Sequence, residues 1–353
     1  MNQRIKKTLT FLASVALGGV LLYLSLRGVD FESVVDALRT ANYLWLIPLL
    51  IITLVAHLLR AWRWRLLLAV LPQKNASRPK LPLSLVFSSV MIGYMVNYAA
   101  PRLGEFARAG NIAARTSLRF AGVFGTVVVE RILDVITLLL ALCSVVVLYG
   151  EQLAGVTNVF LQNTENALVG LPTYVWIVAT LLILAAIFAV VLWRFGNNTA
   201  PGTGKERLSG TLHSFRDGLN SLLRVKERAG LLFSTAGIWL CYTLMADIPL
   251  RMFGLTNQHS LSFLDSWALM NVGAIGMSLP SPGGTGSFHY VTVQTLVQMF
   301  EVGATPAATY ALFAHASQLI LFCVIGFICL LAQGSSFRSL KTTVSEARDS
   351  AEI

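Results

Sequence analysis

The sequence predicts an all-α polytopic membrane protein, and three observations carry that prediction. Only 12% of the 353 residues are charged and 55% are hydrophobic, where a soluble domain carries about 25% charge, so much of the surface must face something other than water. Six stretches stay apolar for the roughly 20 residues that a helix needs to cross the hydrocarbon layer. The excess of positive charge, 27 Lys and Arg against 17 Asp and Glu, borders those stretches. Such placement fits a membrane surface and argues against a nucleic-acid partner, which would require a soluble basic face.

The first stretch, 8–26, follows Arg4, Lys6 and Lys7. It is too long for a signal peptide and reaches Arg27 without a small-residue cleavage site, so it reads as a membrane anchor with a cytoplasmic N-terminus. Residues 27–42 hold Asp30, Glu32 and Asp36 against Arg27 and Arg39, a balance that suits the outer side. The second stretch, 43–62, returns the chain to "RAWRWRLLLAVLPQKNASRPK", which is basic at Arg60, Arg63, Arg65, Lys74, Arg78 and Lys80 and has no acid. Arg60, Arg63 and Trp64 share a helix face and read as anchors at the cytoplasmic boundary. The remaining spans are 121–149, 171–193, 229–250 and 306–333, and the tail, with Arg338 and Lys341, is again cytoplasmic.

Two further apolar stretches, 82–100 and 266–300, are interrupted by proline and glycine. If 82–100 crossed fully, the acidic loop 150–170 would lie inside and the basic loop 194–228 outside, against the positive-inside rule. Both loops obey the rule if 82–119 dips in and returns, and the same argument makes 266–300 re-entrant from the opposite side. The expected architecture is therefore about six spanning helices plus two broken re-entrant hairpins, arranged as an inverted repeat with halves at about 43–149 and 229–333. Residues 1–335 form one integral membrane domain, 194–228 a basic amphipathic loop on anionic lipid, and 336–353 a cytoplasmic tail.

Breaks at membrane depth leave backbone groups unpaired, and inverted-repeat transporters use such breaks to hold polar cargo. "PSPGGTG" places Pro280, Pro282, Gly283, Gly284 and Gly286 where several NH groups could be aimed at a phosphate; the alternative is a simple turn between two spans. His289 follows as a candidate for headgroup binding or pH sensing, whereas His57 and His315 read as packing residues. In "NYAAPRLGEFARAGNIA", after Asn97, Arg102, Glu105 and Arg108 share a helix face by their three-residue spacing. Arginine suits a lipid phosphate because its planar fork donates two hydrogen bonds. The alternative is a snorkelling interfacial helix with a self-paired Glu and Arg.

"VVVERILDVITLLL" puts Glu130, Arg131 and Asp134 inside the third spanning stretch, at spacings that let them form a compact cluster. Ionisable groups there cost several kcal/mol unless paired or hydrated, which makes them functional candidates, with a packing ion pair as the alternative. Asp247 and Arg251, four apart, read as a structural pair. Cys143, Cys241, Cys323 and Cys329 fall inside apolar runs without paired spacing, so neither a disulfide nor a metal site is expected. No nucleophile elbow, zinc spacing, P-loop or dinucleotide fingerprint occurs, so no cofactor or ATP drive is expected and the chain reads as a transporter rather than an enzyme.

"GYMVNYAAPRLGEFARAG", "VVERILDV" and "PSPGGTGSFH", in this order, resemble the lysylphosphatidylglycerol synthase transmembrane-region family, the flippase-like domain, over about residues 10–335. The resemblance implies a bacterial or archaeal cell-membrane protein that moves lipids between leaflets. The soluble aminoacyl transferase domain of the founding members is not in this sequence, so a stand-alone flippase-like member is expected, without lysyl transfer. Its expected cargo is an anionic or aminoacylated phospholipid or a polyprenyl-phosphate-linked lipid, entering a cavity between the two hairpins, with proton coupling through Glu105, Glu130 or Asp134. Two other readings stand beside it: a membrane scaffold for a separate glycosyltransferase or lipid synthase, and an intramembrane lipid-modifying enzyme using Glu130, Asp134 or His289.

Overall fold

The computed structural model describes residues 3–72, 81–99, 103–150, 152 and 214–334, and among these every regular element is a helix. The principal helices are α1 (Gln3–Leu26), α2 (Phe31–Thr40), α3 (Leu46–Leu68), α4 (Leu83–Ala99), α5 (Gly104–Arg115) and α6 (Phe120–Leu148). They are followed by α7 (Arg228–Met252), α8 (Phe263–Ser278), α9 (Ser287–Phe300) and α10 (Ala304–Ala332). Among the described residues, four segments are long and apolar enough to cross a membrane: Tyr43–Leu68, Phe120–Leu148, Arg228–Met252 and Ala304–Ala332. The all-helical, multi-pass character expected from the sequence is thus present. The expected span 171–193, the loop 194–213, nearly all of 150–170, the tail 336–353 and Arg102 lie outside the described residues.

The first expected span is part of a bent pair, Leu12–Leu26 and Phe31–Thr40, which meet at 81°. The bend has a local cause. Gly28 takes φ 77, a left-handed conformation that glycine adopts without a Cβ penalty. Asp30 then caps α2, accepting from the Glu32 NH at 3.0 Å and from the Ser33 hydroxyl at 2.6 Å.

The described chain divides into two compact units. The first gathers 3–51, 136–150 and 242–318. Its apolar core includes Leu250, Leu255, Leu269, Leu296 and Ala311. Within it, α8 opens on a capping box between Ser262 and Asp265, and α9 packs back along α8. Gly276 permits this approach, since a Cβ there would meet the Ser287 carbonyl at 2.8 Å and the Phe288 Cα at 3.0 Å. The Ser287 hydroxyl donates to the Gly276 carbonyl at 2.7 Å.

The second unit gathers 52–135, 214–241 and 319–334. Trp64, Leu67, Val86, Ile112 and Val127 form one core, and Met91, Ile92, Phe322 and Leu330 another. Here α4, apolar but shorter than a spanning helix, packs against α5. A Cβ on Gly104 would collide with the Gly93 carbonyl and the Asn97 side chain. The Gly104 NH instead donates to Asn97 Oδ1 at 2.8 Å. Asn97, chosen from the sequence as a site candidate, therefore also ties the start of α5 to the end of α4.

Candidate functional site

The second unit holds a cluster of seven ionisable side chains. On α6, Glu130 and Asp134 are one turn apart and project to one side, and on α3, Arg60 and Arg63 do the same. Arg60 reaches Glu130 at 2.9 Å through Nη1 and Asp134 at 2.7 Å through Nη2. Arg63 donates through Nη2 to Asp134 at 2.5 Å and to Glu130 at 3.4 Å, and through Nη1 to the Thr235 hydroxyl at 3.4 Å. From α5, Arg108 donates to the second oxygen of Glu130 at 2.8 Å. Three guanidiniums thus converge on one carboxylate whose side chain is 0% exposed.

At the edge of the cluster Arg131 donates to Glu105 at 2.6 Å, with 42% of the Arg131 side chain exposed. Asn97 adds a long contact to the same Glu105 oxygen at 3.5 Å. Aromatic groups complete the wall. The Arg108 guanidinium lies 4.8 Å over the Trp64 ring, and the Trp64 NH donates to Thr126 at 2.9 Å. Among the described residues, four guanidiniums thus face three carboxylates, a balance of one positive charge. Charges taken out of water must be paired closely to be tolerated, and Arg60, which bridges Glu130 and Asp134, and the shared Glu130 provide that pairing.

Two cavities border Arg131 and Glu105. A small one, about 10 Å³, is lined by Gly93, Tyr94, Asn97, Gly104 and Arg108 together with that pair. A groove of about 210 Å³ runs over Phe124, Val127, Val128, Ile132 and Val135, with Glu105 and Arg131 at its polar end.

Six of the expected site residues, Asn97, Glu105, Arg108, Glu130, Arg131 and Asp134, are therefore brought together. Their pairing differs from the intrahelical cluster expected on α6. Asp134 bonds Arg60 and Arg63, while Arg131 turns to Glu105, because α3 and α5 supply partners nearer than the neighbours on α6. Arg60 and Arg63, read from the sequence as boundary anchors, are buried members of the cluster. The signal for them was present: an acid-free pair of arginines at i, i+3 beside Trp64, complementary to an acidic pair at i, i+4 in another span.

Pro280, Pro282, Gly283, Gly284, Gly286 and His289 belong to the first unit. Gly283, Gly284 and Gly286 take φ 59, 75 and 85, so the break depends on glycine. Several turn NH groups are engaged internally: Gly284 to the Ser281 carbonyl, Thr285 to the Pro282 carbonyl, and Gly286 to His289 Nδ1 at 3.2 Å. His289 is thereby a buried structural acceptor, 4.9 Å from the His315 ring. A Cβ on Gly286 would run into the backbone of Gly18, so α1 seals this turn by a direct glycine to glycine approach. Asp247 and Arg251 pair at 2.5 Å, and Ser266 donates to the same carboxylate at 3.0 Å, as a structural pair would. Among the described residues no three His, Cys, Asp or Glu side chains gather as metal ligands.

Comparison with known proteins adds three findings. The family described as Lysylphosphatidylglycerol synthase TM region matches residues 11–326, nearly the whole chain. The chain is 22% identical over 372 residues to a glycosyltransferase, AglD, of Haloferax volcanii, covering 99% of this chain and 58% of that protein. The chain thus spans little more than half the length of that relative. No solved structure matches it.

Proposed function

Because the chain belongs to the lysylphosphatidylglycerol synthase TM region family, a multi-pass membrane domain of lipid-related kind, we propose that it translocates a lipid with an anionic headgroup between leaflets. The observation that carries this reading is the buried cluster of four guanidiniums and three carboxylates, open at Arg131 beside an apolar groove. A cluster serving only helix packing gains from exact charge balance, because any surplus charge at membrane depth costs several kcal/mol. Here the surplus is one positive charge, which a singly charged phosphodiester neutralises. Arg131 is the entry point, since among the four guanidiniums of the cluster it is the one that lines the groove. The cargo class is an anionic or aminoacylated phospholipid or a polyprenyl-phosphate-linked lipid, with proton coupling through Glu105, Glu130 or Asp134.

Exchange of a fluorescent phosphatidylglycerol in proteoliposomes, read by dithionite quenching, tests the reading. Arg131→Gln removes the charge at the mouth and is expected to slow exchange about tenfold or more, as loss of one charge-assisted bond of about 1.5–3 kcal/mol requires. Exchange at the wild-type rate would place the site elsewhere.

The topology belongs to the same proposal. The two broken pairs, α4 with α5 and α8 with α9, are re-entrant hairpins of an inverted repeat in the bacterial or archaeal cell membrane, with both termini cytoplasmic. Each pair is closed by small residues eleven positions apart, Gly93 with Gly104 and Gly276 with Ser287. In a cysteine-free background, Ala114→Cys is expected to react with an impermeant maleimide only after lysis, and Gln258→Cys in intact cells. Labelling of residue 114 in intact cells overturns the hairpin topology.

A second reading is favoured by the similarity to a glycosyltransferase: the membrane domain presents lipid to a separate glycosyltransferase or lipid synthase. Under that reading leaflet exchange by the purified chain is absent, and the partner's lipid product falls when the chain is deleted.

A further inference from the structure

The cap at the start of α9 has a titratable acceptor. Gly286 stands at the N-cap, His289 follows three residues later, and the Gly286 NH donates to His289 Nδ1 at 3.2 Å. Capping boxes place Glu or Gln at this position, whose oxygens accept the bond at neutral and mildly acid pH. An imidazole nitrogen accepts only while it is unprotonated. The bond makes Nδ1 the acceptor, so the ring hydrogen of neutral His289 is on Nε2 and an incoming proton must go to Nδ1. That proton takes the lone pair, breaks the bond and sets a cationic ring against the Gly286 NH. The ring is 4% exposed, and the titratable group facing it is His315 on α10, 4.9 Å away between centroids. His315 in turn meets Phe288 at 5.7 Å and Thr285 Oγ1 at 3.5 Å. The charged groups of the surrounding elements lie elsewhere. On α8, Asp265 is bonded to Tyr149 and Ser262 at the far end, and Asp247 and Arg251 of α7 meet Ser266 at that same end. On α1, Arg4, Lys6 and Lys7 come about three turns before Gly18. A cation on His289 is thus buried beside a second imidazole rather than a carboxylate.

We propose that His289, with His315 beside it, is a proton-binding site that latches the turn between α8 and α9, closed while His289 is neutral and released when it is protonated. What the latch holds is the contact with α1. Gly286 sits at φ 85 with the Gly18 backbone so close that no Cβ fits between them, and a Cβ on Gly18 would meet the Thr285 carbonyl at 2.9 Å. An approach this tight requires Gly286 to stay in place, and its NH is the group that His289 holds. An imidazole in water takes up a proton near pH 6.5. With uptake coupled to opening, the seal is complete above that pH, and the open population rises by up to about tenfold for each pH unit below it. Acid on the membrane face that the turn reaches therefore loosens α1 from the hairpin. The latch does not depend on which lipid the arginine cluster takes, so its failure leaves the translocation reading standing.

Backbone hydrogen exchange of the full chain in phosphatidylcholine nanodiscs, corrected for the pH dependence of the intrinsic rate, reads the latch. Between pH 7.5 and pH 5.0 the protection of amides in 284–290 is expected to fall about thirtyfold, the change that coupled uptake of one proton gives over the interval below pH 6.5. Protection in 61–68, in the core of the second unit, should stay within about threefold, since no coupled proton acts there. His289→Gln puts an amide oxygen in place of Nδ1, accepts the Gly286 NH throughout that range, and should hold protection of 284–290 within about threefold. A folded His289→Gln that loses protection as the wild type does overturns the assignment to His289, and equal wild-type protection at the two pH values overturns the latch. Should the variant fail to fold, the wild-type comparison decides: loss confined to 284–290 supports the latch, whereas an equal loss in 61–68 is a general loosening by acid and overturns it. His315→Gln leaves the cap bond in place and is expected to retain a response of at least about tenfold; a flat response in that variant moves the proton to His315 and overturns the latch.

Discussion

Glu130→Ala is expected to unfold the second unit more readily than any other single change in the cluster. The substitution leaves Arg60, Arg63 and Arg108 converging on a space without a carboxylate, two of them still held by Asp134 or Thr235 and one with no acid at all. Breaking a buried pair in this way costs about 3–5 kcal/mol, because the remaining charges stay buried and repel one another. Glu130→Gln should cost less, since its amide oxygen still accepts one arginine bond in the same volume. Arg131→Gln should scarcely change stability, because an ion pair with a 42% exposed partner is screened by solvent. Thermal unfolding of the purified variants in one detergent checks the order. A melt for Glu130→Ala equal to that of Arg131→Gln would show that water reaches the cluster freely and that Glu130 holds nothing together.

The second large effect is expected at the turn between α8 and α9. Gly286→Ala forces a side chain into φ 85, which costs about 1–3 kcal/mol in backbone strain. It also drives the new Cβ into the backbone of Gly18, where neither partner has a flexible end to move aside. Gly28→Ala is the control, with φ 77 but nothing within 4 Å of its Cβ, so it incurs the backbone cost alone. On α1 itself, Gly18→Ala meets the Thr285 carbonyl at 2.9 Å, whereas Gly19→Ala meets nothing within 4 Å and should be tolerated. The expected order of melting temperatures is wild type and Gly19→Ala highest, then Gly28→Ala, then Gly286→Ala. Equal melts for Gly28→Ala and Gly286→Ala would mean that α1 does not press on the turn.

Much of this architecture was legible in one dimension. Apolar length alone marks Tyr43–Leu68, Phe120–Leu148, Arg228–Met252 and Ala304–Ala332 as spans, because the hydrocarbon thickness sets the count of residues needed. Proline and glycine mark both breaks, since a helix cannot continue through 279–286 with three glycines at positive φ. The ionisable residues of α6 stand out because the bilayer penalises charge wherever it occurs in such a run. The bend after Leu26 was less legible: the run 8–26 is continuous in hydropathy, and only Gly28 with Asp30 announces the turn of 81°.

The sequence by itself thus determined which segments are membrane helices, where two of them are broken, and that charges lie at membrane depth. Only the tertiary structure decided how those charges are matched. Arg60 meets Glu130 and Asp134 across 70 and 74 positions, and Arg63 meets them across 67 and 71. Helical periodicity says which residues share a face on α3, α5 or α6, but the rotation of each helix about its axis is set by packing. Trp64 against Thr126 and Gly93 against Gly104 fix that rotation here. Once it is fixed, Arg131 turns outward to Glu105, Arg60 and Arg63 turn inward, and a pair read as a membrane anchor becomes the buried centre of the site.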